Sequence, residues 1–393
     1  MATFLQGSGT ISMSDINGVF GWGNDLNSYR SRTWYTAAGG SGTFSSGTIN
    51  MSDFYGTGPV ANNFTATITS HNDQLNLRSW AISNGWNGSS TAIITLAGGY
   101  YLYSSNTGNA ALTIDGSWPG GLTFVNNGYI MGCGGHGGGV RSASYSDFES
   151  NYELQAGGPA ISMGVSCTIQ NNSYIGGGGG GGAGVIYQNT SNLYGQANAL
   201  GGGGAGGGQG GSYWTGASGS QGLAAAGGSG GGIGGNGSNG ILFTPVYQAA
   251  SATAGGGGRI MPGSRTATPN AVYSGGNASG GYGGEGGVAG NNQSIASATS
   301  GGTAGSNGNV AGYGGSAGGS GSADAATGTY NAATGAGGGG GGWGSSGGTA
   351  RAISTGTYAG ESSSSGASGG KCVNLNGYTI TWSATGTRWG GIS

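Results

Sequence analysis

Apolar and polar residues alternate in short runs that return along the chain. Ala111-Leu112-Thr113-Ile114, a turn, Leu122-Thr123-Phe124-Val125 and Asn126-Asn127-Gly128-Tyr129-Ile130 come back as Ala160-Ile161-Ser162-Met163, a turn, Cys167-Thr168-Ile169-Gln170 and Asn171-Asn172-Ser173-Tyr174-Ile175. A weaker third copy covers Cys372 to Leu375 and Tyr378 to Trp382. Alternation with period two predicts half-buried strands. Because one unit cannot bury its own apolar face, returning units predict edge-to-edge stacking as a β-solenoid or a sandwich. Two more β-like runs flank Gly98-Gly99. Leu75 to Ile82 has helical spacing and stops at Asn84-Gly85, the one real helix in the pattern. The predicted fold class is therefore mainly β with very little α-helix.

A second internal repeat lies in the first 60 residues, where Gly9-Thr10-Ile11-Ser12-Met13-Ser14-Asp15-Ile16 returns as Gly47-Thr48-Ile49-Asn50-Met51-Ser52-Asp53-Phe54. Ile and Met alternate with polar residues ahead of Ser-Asp, which predicts a short half-buried strand leading into a capped helical turn. Between the copies lies an aromatic stretch with Trp22, Tyr29, Arg30, Arg32, Trp34 and Tyr35. Its rings serve either as the core of a small module or as a docking surface for a larger assembly.

Glycine overtakes this pattern after Ile175. The runs Gly176–Gly182 and Gly337–Gly342, with GGGGAGGG from Gly201, belong to a tract of roughly 195 residues that ends near Gly370. Since β repeats stand on both sides, the tract is an insertion with fixed ends, and an unstructured loop of that length is disfavoured in a compact fold. Glycine rods packed side by side in a polyproline-type conformation resolve this. Such a helix has three residues per turn and no internal hydrogen bonds, so its amides pair with neighbouring rods. A nine-residue run reaches about 28 Å, which separates the loops into two clusters. The segments that interrupt the rods carry Tyr187, Tyr194, Tyr213, Trp214, Phe243, Tyr247, Ile260, Met261, Tyr273 and Tyr330. Rings with few rotamers on a rigid frame make efficient recognition groups, and they equally suit sealing the ends of a bundle.

Composition narrows the function. Charged residues are 5% of the chain and the net charge is -2, so the cationic grip of nucleic-acid binders is missing. The 20 Tyr and 9 Trp argue against ordinary disorder. Neither a signal peptide nor an apolar run long enough to span a membrane is read. Three cysteines are no disulfide framework, and His71 and His136 form no ligand set, so neither a metal nor a cofactor is expected. The acidic group Asp147, Glu149 and Glu153 beside Arg141 is the only place for glycan-cleaving carboxylates; a solvated loop is the plainer reading, and no catalytic residue is assigned.

Two resemblances bear on these residues. GTISMSD and its second copy ending in SDFYG resemble modules at the ends of tailed-bacteriophage tail and fibre proteins, which implies attachment to a virion. The alternation of glycine runs and aromatic loops over 176–370, entered through NNSYIGGGGGGG, resembles the receptor-recognising adhesins at the tips of T-even-like tail fibres. Those carry a polyglycine-II bundle with variable loops at its far end. The implied organisation is an attachment module over 1–60, a β-repeat collar over 61–175, a polyglycine-II bundle with loops over 176–370 and a β unit over 371–393 that returns to the collar. The implied function is a non-enzymatic virion adhesin, made without a signal peptide. It would bind other tail proteins through its first module and a host outer-membrane protein or glycan through its loops, as a homotrimer or a monomer. A purely structural virion protein is the alternative, and a glycan depolymerase the more distant one.

Overall fold

The returning apolar runs close into coils. A computed structural model describes residues 4–59, 63–144, 147–187, 197–217, 220–233, 241–242, 333–336, 338–354 and 360–393. Three sheets line the coils. The first face stacks Phe64–Ile68, Ala92–Leu96, Leu122–Asn126, Cys167–Asn171 and Ile380–Ala384. The second stacks Asn72–Asp73, Tyr101–Tyr103, Tyr129–Met131, Tyr174–Gly176 and Thr387–Trp389, and the third Leu75–Asn76, Leu112–Ile114, Ile161–Met163 and Val373–Asn374. All neighbours on the three faces run parallel. Repeat copies stack residue on residue: Leu112 faces Ile161, which faces Val373, and Thr123 faces Thr168, which faces Thr381. The arrangement is a β-solenoid.

Inward positions fill one core that includes Ile68, Leu96, Leu102, Leu112, Phe124, Ile130, Ile161, Ile169 and Ile175. Each contributes about 1.5–3 kcal/mol by leaving water. At the corner between the first two faces Asn126 and Asn171 are fully buried. Asn126 Nδ2 donates to Asn171 Oδ1 at 2.8 Å, and Asn171 Nδ2 donates to the Thr385 carbonyl at 2.8 Å. Each amide thus holds the next coil and leaves no unpaired polar group. Along the second face Tyr101, Tyr129, Tyr174 and Trp389 stack in succession, with centroids 4.8, 5.7 and 5.4 Å apart.

Two α-helices occur among the described residues, and one corrects the sequence reading. Helix α1 (Met13–Phe20) begins where a strand is expected. The Ser12 side chain accepts from the Asp15 amide, while Asp15 accepts from the Ser12 amide and hydroxyl. This capping box supplies two otherwise orphaned donors with partners, and it outweighs the local alternation. In the second copy Asn50 starts a 3-10 turn, Met51–Phe54. Ile11 and Ile49 each precede their cap and are buried with Ile16 and Phe54 in the core of the module, at the spacing of a hydrophobic staple. Helix α2 (Leu77–Ser83) starts later than the apolar spacing predicts. The third face recruits Leu75–Asn76, and Asn76 Oδ1 then caps the helix through the Ser79 amide at 2.9 Å.

Long excursions leave the coils at one corner only, between the second and third faces, from 131 to 161 and from 176 to 373. Glycine rods run through the described parts of both. In the central rod every amide from Gly177 to Ala183 donates and every carbonyl from Gly176 to Ala183 accepts. Partners recur every three residues. Gly176, Gly179 and Gly182 accept from Gly132, Gly135 and Gly138; Gly177, Gly180 and Ala183 accept from Gly344, Gly341 and Gly338; Gly178 and Gly181 accept from Gly370 and Ala367. The amides turn to three other stretches: Gly178 and Gly181 donate to Gly158 and Gln155, Gly179 and Gly182 to Ala205 and Gly202, and Gly180 and Ala183 to Ser345 and Gly348. Six segments surround one rod, which is buried throughout. Residues 132–138 and 155–158, which the sequence reading placed within the 61–175 collar, are two of the six.

The glycines follow from this packing. A Cβ on Gly178, Gly181 or Gly204 would lie inside the carbonyl group of Cys133, His136 or Gly179. The obstruction is hydrogen-bonded backbone, which has no rotamer to give way.

Candidate receptor-binding end

The array has two unlike ends. At the solenoid end the rods reverse in tight turns near Gly206 and Gly344, both with positive φ. There Trp343, Trp389, Ala205, Tyr101 and Met131 form a buried cluster. At the far end every rod runs into strands. Gly139–Ser144 and Asp147–Tyr152 extend the first excursion, and Val185–Tyr187, Ala197–Ala199, Tyr213–Ala217, Ser220–Ala226, Ala333–Ala336, Ala350–Ser354 and Gly360–Ser364 extend the second. These strands form a five-stranded sheet, which also takes in Ile241–Leu242, a two-stranded sheet and a three-stranded sheet. Val185–Tyr187 and Ala197–Ala199 lie against the three-stranded sheet. Among the described residues, the strands of both excursions are therefore gathered away from the solenoid.

Of the ring-bearing positions read from the sequence, Tyr187 ends a strand of the two-stranded sheet, and Tyr213 and Trp214 open a central strand of the five-stranded one. Tyr194, Phe243, Tyr247, Ile260, Met261, Tyr273 and Tyr330 lie outside the described residues. The structure adds Phe148 and Tyr152, on Asp147–Tyr152 in the same sheet as Trp214. Their hairpin was readable only as an acidic loop, although Gly132–Gly139 and Gly157-Gly158 bracket it with the same rod-and-loop texture as the longer tract.

Of the residues considered for attachment, Tyr29 is fully buried and its hydroxyl donates to the Gly23 carbonyl at 2.6 Å. It sits edge-on to Phe20 and Phe54 and has no surface to offer a partner. Trp22 and Trp34 pack against that core while Tyr35 is half-buried. Arg32 lies 4.8 Å over the Trp22 ring, Arg30 donates to the Ser46 carbonyl at 3.1 Å, and both arginines are exposed.

Few of the described side chains are poised for chemistry. Burial pushes the Cys167 and Cys372 thiols up to about 12, far from the thiolate that a nucleophile needs. Burial lowers the pKa of His136, against a smaller opposing pull from Glu153. Among the described residues no group of three or more His, Cys, Asp or Glu is placed to hold a metal ion, and no helix is long and apolar enough to cross a membrane.

A stack of coils bearing a glycine array with its side chains collected at one end is the build of a presenting scaffold. The family model for the phage tail fibre adhesin Gp38 matches residues 63–281, more than half of the chain, and the chain belongs to that family. The match starts where the coils start and leaves out the N-terminal module. No curated protein and no solved structure matches the chain. It is a β-rich bacteriophage tail-fibre adhesin, and membership carries with it association with the virion tail and binding to a host receptor.

Proposed function

We propose that the chain is the host-facing tip of a tail fibre, in which a polyglycine-II bundle of the T-even-like kind holds receptor-contacting strands and loops away from the virion. The observation that carries this reading is the gathering of the excursions' described strands at the end opposite the solenoid. The three-residue recurrence of hydrogen-bond partners around Gly176–Ala183 supports polyglycine-II helices, because three residues complete one turn of that helix. The central rod finds all its partners within its own chain, which supports a monomeric bundle.

In this division residues 1–60 attach the protein to other tail proteins through Trp22, Arg30, Arg32, Trp34 and Tyr35. Residues 61–175 and 371–393 form the collar, and 176–370 form the bundle together with the rods at 132–138 and 155–158. Tyr187, Tyr213 and Trp214, with the loop residues beyond them, contact the receptor, and the protein binds without catalysis. Replacing Tyr213–Ala226 with a short glycine-serine turn tests the proposal. Particles that retain the protein should adsorb at least about tenfold more slowly, as expected when central aromatic anchors are lost. Undiminished adsorption by such particles would refute it.

A further inference from the structure

The two ends of the solenoid are finished differently. At the first coil helix α2 buries Leu77 and Ala81 in the common core. At the last coil the inward residues Ile380 and Trp382 stay half-buried, although Ile169, which stacks on Trp382, has no exposed surface. Ile380–Ala384 is the outermost strand of its sheet among the described residues. The Cys167 amide donates to the Thr379 carbonyl at 3.3 Å, so odd-numbered residues of this parallel ladder serve the coil behind. Ile380 and Trp382 therefore turn amide and carbonyl outward. The strand carries neither the charge nor the proline that ordinarily guards a sheet edge. On the third face a fifth coil is already begun, where Ile392 bridges to Val373 in parallel and the Ser393 amide donates to the Val373 carbonyl at 3.2 Å. The second face is met by the Gly344 turn, which packs on Gly390. That leaves the first face open, with exposed Tyr378 just ahead of its strand.

We infer that this edge is a second attachment point, which takes an extended segment of a neighbouring tail protein with apolar residues at alternate positions and acidic residues at its flanks. The register supplies the pattern. A strand added in line sets one apolar side chain on Ile380 and the next on Trp382, as Cys167 and Ile169 do from the other side. The register shifts after Trp382, so the added segment pairs with 380–382 and covers the apolar side chains beside it. Charge supplies the flanks. Residues 371–393 hold Lys371 and Arg388 but no Asp or Glu, and the Arg388 guanidinium lies 4.8 Å over the Trp382 ring. A second copy would bring the same cations together across the edge. The chain's own excursions leave at another corner, and their described strands gather away from the solenoid. A neighbour in the virion tail, with which the family associates, meets neither obstacle. The inference rests on the tail-attachment reading and adds a surface to the N-terminal module.

The test uses virions that carry the full-length protein with the photo-reactive analogue p-benzoyl-phenylalanine in place of Tyr378, or in place of Tyr35 in the N-terminal module. After irradiation, mass spectrometry of the joined peptides should connect the Tyr378 position to a segment of another tail protein with alternating apolar residues and acidic neighbours. Arg388→Glu should lower the cross-linked fraction about two- to tenfold, as expected when an exposed ion pair becomes a repulsion, and high salt should lower it without any variant. An unchanged fraction in both refutes the acidic flank. Cross-links from the Tyr378 position only within this chain or to a second copy overturn the inference, as does their absence from particles that retain the protein. A cross-link from the Tyr35 position in those particles then leaves attachment through the module intact, whereas failure at both positions removes both readings.

Discussion

Alanine in place of Gly180 should damage the protein far more than alanine in place of Gly232, although both glycines belong to the same tract. At Gly180 the added Cβ would stand 2.7 Å from the Ala367 carbonyl carbon and 2.7 Å from the Ser368 oxygen, against 3.4 Å for ordinary contact, and nearer still to the Ala367 oxygen. The rods must part by most of an ångström. Parting them weakens the bonds from the Gly370 amide to Gly178 at 2.7 Å and from the Ala367 amide to Gly181 at 2.9 Å. Two hydrogen bonds are worth about 1–3 kcal/mol net, and overpacking a rigid interior adds about 1–3 kcal/mol. Reduced freedom of the unfolded chain returns about 0.4–1 kcal/mol. The net loss is about 1–6 kcal/mol. Gly232 is exposed with nothing within 4 Å of its Cβ and no positive φ, so only the last, favourable contribution remains. Denaturant titrations of the two variants, followed by hydrogen exchange of the 176–183 peptide, measure the difference. Equal stability, or fast exchange of that peptide in the parent, would refute the enclosed rod.

Two further outcomes concern the coils and the first excursion. Asn171→Ala should cost about 1–3 kcal/mol, because it removes one hydrogen-bond partner of the buried Asn126 amide and the bond that ties Asn171 to the Thr385 carbonyl of the next coil; thermal unfolding reads this, and a neutral result would contradict the asparagine corner. Stability should also fall as pH drops below the ordinary histidine value of 6.5, because burial lowers the pKa of His136. Below that value the unfolded state binds a proton that the folded state resists. Unfolding midpoints measured between pH 7.5 and 5, for the parent and for His136→Gln, should show a smaller acid loss in the variant.

The coils were legible where register partners carry one residue type, as Thr123, Thr168 and Thr381 do. The two earliest coils were not joined to the repeat. Their inward positions, such as Ile68 and Leu96, need only be apolar, and no Asn-Asn-x-Tyr-Ile corner marks them. A capped helical turn was legible ahead of Ile16, but its start was placed too late, because alternation at Ile11 and Met13 is local, whereas the reciprocal Ser12 and Asp15 bonds act across the whole first turn. The rod at 132–138 was hidden by Cys133 and His136. Those two are three residues apart, and Gly132, Gly135 and Gly138 keep the other register, in which they meet the central rod. At the tip, the sequence singled out Tyr213 and Trp214 but could not show that Arg141 and Glu149, more than 60 residues earlier, lie beside them. That adjacency exists only through long-range strand pairing.

The most direct measurement of the central claim is electron cryo-tomography of virions attached to host cells, with a tag on the Ser220–Ala226 hairpin and a second on the N-terminal module. The account predicts the hairpin tag at the cell surface and the N-terminal tag toward the tail. Tags in the opposite order, or on the capsid, would contradict it.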